Sequence, residues 1–272
     1  MSRARQACLA ALLAAALALL AIAAGARGET SASGDLRVSF AGAIAPKALP
    51  RQKPAPIAVS LAAGVRTISG ERPPPLRRIV IAINRGGRLD ARGLPLCHRA
   101  QIQPSSSAKA RERCAGALVG EGSFDADLAF PEQAAFPTHG HLLAFNARLE
   151  GRPAILAHIY GTEPAPITRL IVFRIRRSAG TYGTVLSAAV PEALNQWAYL
   201  THFSLRLQRA FSYRGRRRSY LSAACAAPPG FPGATFALAR ATMSFGDGRT
   251  LGSTLIRSCR VRGWRHRAQA NS

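Results

Sequence analysis

Apolar and polar residues alternate with a period of two along most of this chain, and stretches with the 3.6-residue period of an amphipathic helix are scarce. Ile79, Ile81 and Ile83 alternate with Val80, Ala82 and Asn84 ahead of a turn at Gly86-Gly87. Phe124, Ala126, Leu128 and Phe130 alternate with Ser123, Asp125, Asp127 and Ala129, which predicts a strand with one buried and one wet face. The same spacing marks Leu143, Phe145, Ala147 and Leu149, then a turn near Glu150-Gly151, then Ile155, Ala157 and Ile159. Further strands are expected at 167–175, 185–190 and 203–207. The clearest hairpin joins 236–245 to 250–261 through Gly246-Asp247-Gly248, because Asp-Gly readily takes the positive φ of a tight turn.

Helical signals are few. Ser106 or Ser107 caps a segment that runs to Cys114 and is stopped by Gly116, and a second helical turn is expected at 191–197. The fold class that follows is all-β, a two-layer antiparallel β-sandwich with one short helix near 107–114. A faint echo links 76–97 with 200–225: each reads as an apolar strand, an Arg- and Gly-bearing turn, then a cysteine. Either two similar modules occupy 57–135 and 136–262, or two unrelated strands each happen to precede a cysteine. Ahead of them, 27–56 reads as a flexible or extended arm with a first strand near 36–40 and a Pro-rich basic stretch at 46–56. The last residues, 263–272, read as a disordered basic tail.

The first residues add a compartment. Arg3 and Arg5 precede an apolar run from Cys8 to Ala24, and Ala24-Gly25-Ala26 supplies the small residues of a cleavage site, so 1–26 reads as a secretory signal peptide. The alternative is an uncleaved segment that holds the protein at the membrane. Cys8 stands at the start of the apolar run instead of ending it, which excludes it as a lipidated residue. Removing 1–26 leaves Cys97, Cys114, Cys225 and Cys259, an even set in an exported chain, and the sequence-adjacent disulfides Cys97–Cys114 and Cys225–Cys259 are the favoured pairing of three. Metal ligation by these cysteines has little support, since no Cys-x-x-Cys occurs.

Composition changes the picture in one respect. A hydrophobic fraction of 48% with 18% charged residues describes a folded chain, but the formal net charge is +24 and only Lys47, Lys53 and Lys109 are lysine among 37 basic residues. Such a field favours anionic partners: cell-wall polymer, lipid head groups or nucleic acid. A coding bias that enriches Ala, Gly, Pro and Arg together would give the same composition. No finger, recognition helix or aromatic-basic strand motif accompanies the arginines, so no specific nucleic-acid module is expected. The densest run, Arg214, Arg216, Arg217 and Arg218, sits around Gly215 as at a hairpin tip and is the candidate anion-binding group.

Several motifs together, namely Arg92-Gly93-Leu94-Pro95-Leu96-Cys97, the stretch 113–120, 142–146, and 218–225 with Pro228-Pro229, resemble a family of exported, uncharacterised β-rich proteins of high-GC Gram-positive bacteria. The resemblance covers about 36–262 and implies export and a β-rich fold; it implies no activity, ligand or site residue.

Catalytic signatures are absent: there is no Gly-x-Ser-x-Gly, no Gly-x-x-x-x-Gly-Lys and no His-Glu-x-x-His. His139 and His141 share a strand face, and a hairpin turning near Glu150-Gly151 brings His158 diagonally close to them if the register is right, a candidate zinc or copper site. Asp125 and Asp127 share another face but lack a calcium loop. Trp197, Tyr199 and His202, with Tyr182, Tyr213 and Tyr220, are either core aromatics or a saccharide platform. The expectation is a secreted, non-enzymatic protein of the cell envelope or extracellular space that uses no cofactor and binds anionic wall polymer or lipid head groups through a basic surface. The alternative is a metal-binding protein or hydrolase with a site around His139, His141 and His158.

Overall fold

Two-residue periodicity is converted into a single large sheet. The computed structural model describes residues 29–192 and 198–264; the expected signal at 1–26, most of the helical turn at 191–197 and the tail from 265 onward lie outside the described residues. In chain order the strands are β1 (Glu29–Ser33), β2 (Leu36–Ala45), β3 (Ala48–Leu49), β4 (Ala55–Pro56), β5 (Ala58–Thr67), β6 (Leu76–Asn84) and β7 (Gly87–Leu89). Two short helices follow, α1 (Arg99–Ile102) and α2 (Ser107–Arg113). Then come β8 (Leu118–Leu128), β9 (Phe136–Leu149), β10 (Arg152–Gly161), β11 (Ile167–Arg177), β12 (Tyr182–Ala189) and β13 (Ala198–Leu207). The chain closes with β14 (Ala210–Tyr213), β15 (Arg216–Ser219), β16 (Leu221–Ala223), β17 (Gly233–Phe245) and β18 (Thr250–Val261).

Thirteen of these form one sheet in the order β1, β2, β5, β13, β8, β9, β10, β11, β12, β6, β17, β18, β3. Every pairing is antiparallel except that of the edge strand β3 with β18. The hairpin turns obey local chemistry: Glu150 and Gly151 both take positive φ between β9 and β10, and Gly248 does so between β17 and β18. Register then fixes the faces. Leu36, Val38 and Phe40 on β2, Val119 on β8, and Met243 and Leu255 on β17 and β18 all reach the same interior and are nearly fully buried. Burying each such side chain contributes roughly 1.5–3 kcal/mol.

The sheet curls until its ends meet, so one sheet supplies both layers of the all-β sandwich. Gly42 on β2 packs under Leu255 on β18, where a Cβ would come within 2.7 Å of Leu255 Cδ1. Arg257 donates from Nη1 to Glu29 Oε1 at 2.7 Å, and Arg249 donates from Nη1 to the Ser33 carbonyl and Asp35 Oδ1, both at 2.9 Å. Side chains, not a backbone ladder, close this seam.

Strands from both of the expected modules share the one large sheet. The boundary at 135/136 falls in the β8–β9 hairpin, whose strands pair from Leu118↔Phe145 to Leu128↔Phe136, and β13 of the expected second module pairs with β5 of the first. The expected arm at 27–56 is likewise inside the sheet: β1 and β2 pair over Glu29↔Phe40 to Ser33↔Leu36, and only its 46–56 stretch runs along an edge, as β3 and β4.

A helical cap covers the outside of β9 to β11. Ser106 caps α2 by accepting from Lys109 N–H at 3.3 Å, and Cys97–Cys114 (S–S 2.03 Å) ties the cap's two ends together. Beneath it lie Ile102 and Ala110 against Leu143, Phe145 and Leu156. Cys225–Cys259 (S–S 2.07 Å) ties the chain after β16 to β18. Two disulfides are features of an oxidising compartment. Among the described residues no helix is long and apolar enough to cross a membrane. Trp264, expected in the tail, instead donates its backbone N–H to the Val261 carbonyl and lies under the Arg51 guanidinium.

Candidate functional site: an arginine-lined groove

Three turns emerge at the same end of the sandwich, those after β6, β9 and β11, because the strands entering them run in the same direction. Each carries arginine near its tip. Arg85 and Arg88 flank the Gly86-Gly87 turn, Arg148 precedes the Glu150-Gly151 turn, and Arg177 ends β11. With Arg92 from the loop after β7 they line one open groove of about 1290 Å3, floored by Leu94, Asn146 and Ser222. All five arginines are exposed.

Among the described lining residues Asp90 is the one carboxylate, and it is already occupied. Arg92 Nε lies 3.1 Å from Asp90 Oδ1, and Arg218 Nη1 lies 2.8 Å from Asp90 Oδ2. Partial burial pushes the Asp90 carboxyl up, but the bonds from Arg92 and Arg218 outweigh it and hold the group below its usual range. Among the described residues, no acid forms an ion pair with Arg85, Arg88, Arg148 or Arg177. Like charges converge there without internal compensation, and a concave wall of one sign focuses the field on an anion.

Tyr213 forms one wall. Its ring packs on Gly93, which has φ +83°, and the guanidinium carbons of Arg214 and Arg218 lie 5.3 and 5.5 Å from the ring centroid. The expected hairpin tip is present, with Arg214 and Gly215 in the turn between β14 and β15. Of the arginines proposed from that run, Arg218 is held by Asp90, while Arg214, Arg216 and Arg217 are exposed beside the groove. The five arginines that line it come from separate turns; their only signal in the sequence is arginine placed next to turn residues at strand ends.

The histidine trio does not assemble. His158 does share a sheet face with His139 and His141, since it pairs with Leu143, but the helical cap covers that face at His158 and leaves it bare at the other two. His158 is fully buried, with Nε2 3.0 Å from the Ser105 carbonyl, and His139 pairs instead with Asp125 at 3.1 Å. Among the described residues no group of three His, Cys, Asp or Glu side chains is placed to hold a metal ion. Asp125 lies between His139 and His202 on an exposed surface. The aromatic residues do not share a platform either: Tyr220 is fully buried, Tyr199 lies under Arg72, and Trp197 lies outside the described residues.

Comparison with protein-family models, with curated proteins and with solved structures finds no match to this chain.

Proposed function

We propose that this is an exported, non-enzymatic protein of the cell envelope or extracellular space that binds an anionic polymer in the groove formed by Arg85, Arg88, Arg92, Arg148 and Arg177. The observation that carries the reading is the imbalance in that groove: five arginines face one aspartate, which two guanidiniums already occupy. Guanidinium offers a planar fork of donors that fits phosphate or carboxylate oxygens in pairs. The groove volume of about 1290 Å3 exceeds the roughly 300–1000 Å3 typical of small-ligand pockets, which suits a segment of chain polymer better than a single small anion. The two disulfides and the apolar leader at 1–26 support export.

The test is retention of the purified protein on isolated cell wall and on polyphosphate resin as sodium chloride rises. Elution at moderate salt supports the proposal, because contacts with an exposed polyanion are screened once the Debye length falls below about 10 Å. Retention that does not change with salt contradicts it.

A further inference from the structure

At the opposite end of the sandwich from the groove, between the layers, lies a cavity of about 320 Å3. Its walls are apolar side chains, among them Ile79, Phe124, Ile159, Ile171 and Leu200, and its mouth is the exposed stretch Glu163-Pro164-Ala165-Pro166 with Ile167. Among the described lining residues there is one cation. Arg169 stands on β11 on the same face as the interior residue Ile171 and is half-buried at the cavity wall. Arg169 Nη1 donates to the Thr168 carbonyl at 3.1 Å, but Nε is buried and has no hydrogen-bond partner among the described residues.

That atom demands an explanation. Arginine keeps its charge at any ordinary pH, and a buried guanidinium donor without an acceptor is unfavourable in apolar surroundings. Glu163, the only acid among the described lining residues, is exposed and forms no ion pair with Arg169; its backbone carbonyl accepts from Thr138 Oγ1 at 3.1 Å. An acceptor from outside the chain would satisfy the site.

We infer that this cavity binds a medium-chain fatty acid, with the carboxylate on Arg169 and the chain among Phe124, Ile159, Ile171 and Leu200. A lone guanidinium matches a monoanionic carboxylate; a phosphate head would bring a second charge with no second cation to meet it. The volume sets the chain length. A cavity of about 150 Å3 takes one benzene, so 320 Å3 accommodates a chain of about a dozen carbons. This site is separate from the arginine groove and does not depend on it.

The experiment is isothermal titration of the full, folded chain with laurate, methyl laurate and dodecyl phosphate. Laurate binds one per chain and more tightly than either of the others. Arg169→Leu weakens laurate by at least about tenfold, the loss expected for a charge-assisted bond, and leaves methyl laurate unchanged. Ala126→Phe, which fills the cavity, removes both. Arg88→Glu with Arg148→Glu, at the other end of the sandwich, leaves laurate binding intact. Equal binding of laurate and its methyl ester, tighter binding of dodecyl phosphate, laurate binding unaffected by Arg169→Leu, or its loss in the groove variant would each overturn the assignment. So would a folded wild-type protein that binds no laurate.

Discussion

Gly93 lies against the flat of the Tyr213 ring, so close that a Cβ on Gly93 would overlap the ring carbons. Its φ of +83° is also one that other residues rarely adopt. Gly93→Ala therefore displaces Tyr213 and strains the backbone, with an expected loss on the order of 1–3 kcal/mol. Chemical denaturation should show that loss. Titration with polyphosphate should show weaker binding, because Arg214 and Arg218 rest on the displaced ring.

The seam between the ends of the curled sheet depends on Glu29 and Arg257, whose side chains are only 26% and 19% exposed. Partial burial pushes the Glu29 carboxyl up, and the bonds from Arg257 outweigh it and hold the group below the usual carboxylate range. A carboxylate so depressed contributes stability that is complete above its unfolded pKa, near 4, and is lost as pH falls through the folded one. Glu29→Gln is expected to cost about 1 kcal/mol at neutral pH, a fall of about 2–4 °C in Tm. Once pH has fallen through that folded pKa, the Tm values of variant and wild type should converge.

His158 gives a second pH dependence. Burial lowers its pKa below the ordinary imidazole value, and the Ser105 carbonyl only partly offsets this. The unfolded chain then takes up a proton near pH 6.5 that the native one refuses, so stability falls as pH drops from there toward the folded pKa. The slope approaches about 1.4 kcal/mol per pH unit. His158→Leu removes this component. Denaturation curves between pH 7 and 5 should therefore be flatter in the variant.

Alternation exposed most strands because one face of each is wet. It blurred where both faces are dry: 142–147 on β9 are buried without a break, odd positions under the helical cap and even ones toward the interior. β5 is hard to read for another reason. Ala58, Ala62, Ala63 and Gly64 pack closely but give little hydrophobic contrast. The disulfides were legible because each bridge joins cysteines only 17 and 34 residues apart. The curl was not, since it depends on β18 meeting β1 and β2 from the far end of the chain. The groove follows the same rule: the arginine run at 214–218 is visible as a string, whereas Arg85, Arg148 and Arg177 become neighbours only through the register of β6, β9 and β11.

The most direct test of the groove is a charge-matched comparison. Arg88→Glu with Arg148→Glu reverses two charges in the groove, and Arg66→Glu with Arg78→Glu reverses two exposed charges elsewhere, leaving the net charge of the two variants identical. Polyphosphate affinity at physiological ionic strength is the readout. The groove variant should bind at least about tenfold more weakly than the surface variant, because convergent charges in a concave wall act together while scattered ones are screened. Equal losses in the two variants would mean that total charge, not the groove, attracts the anion, and would contradict the account.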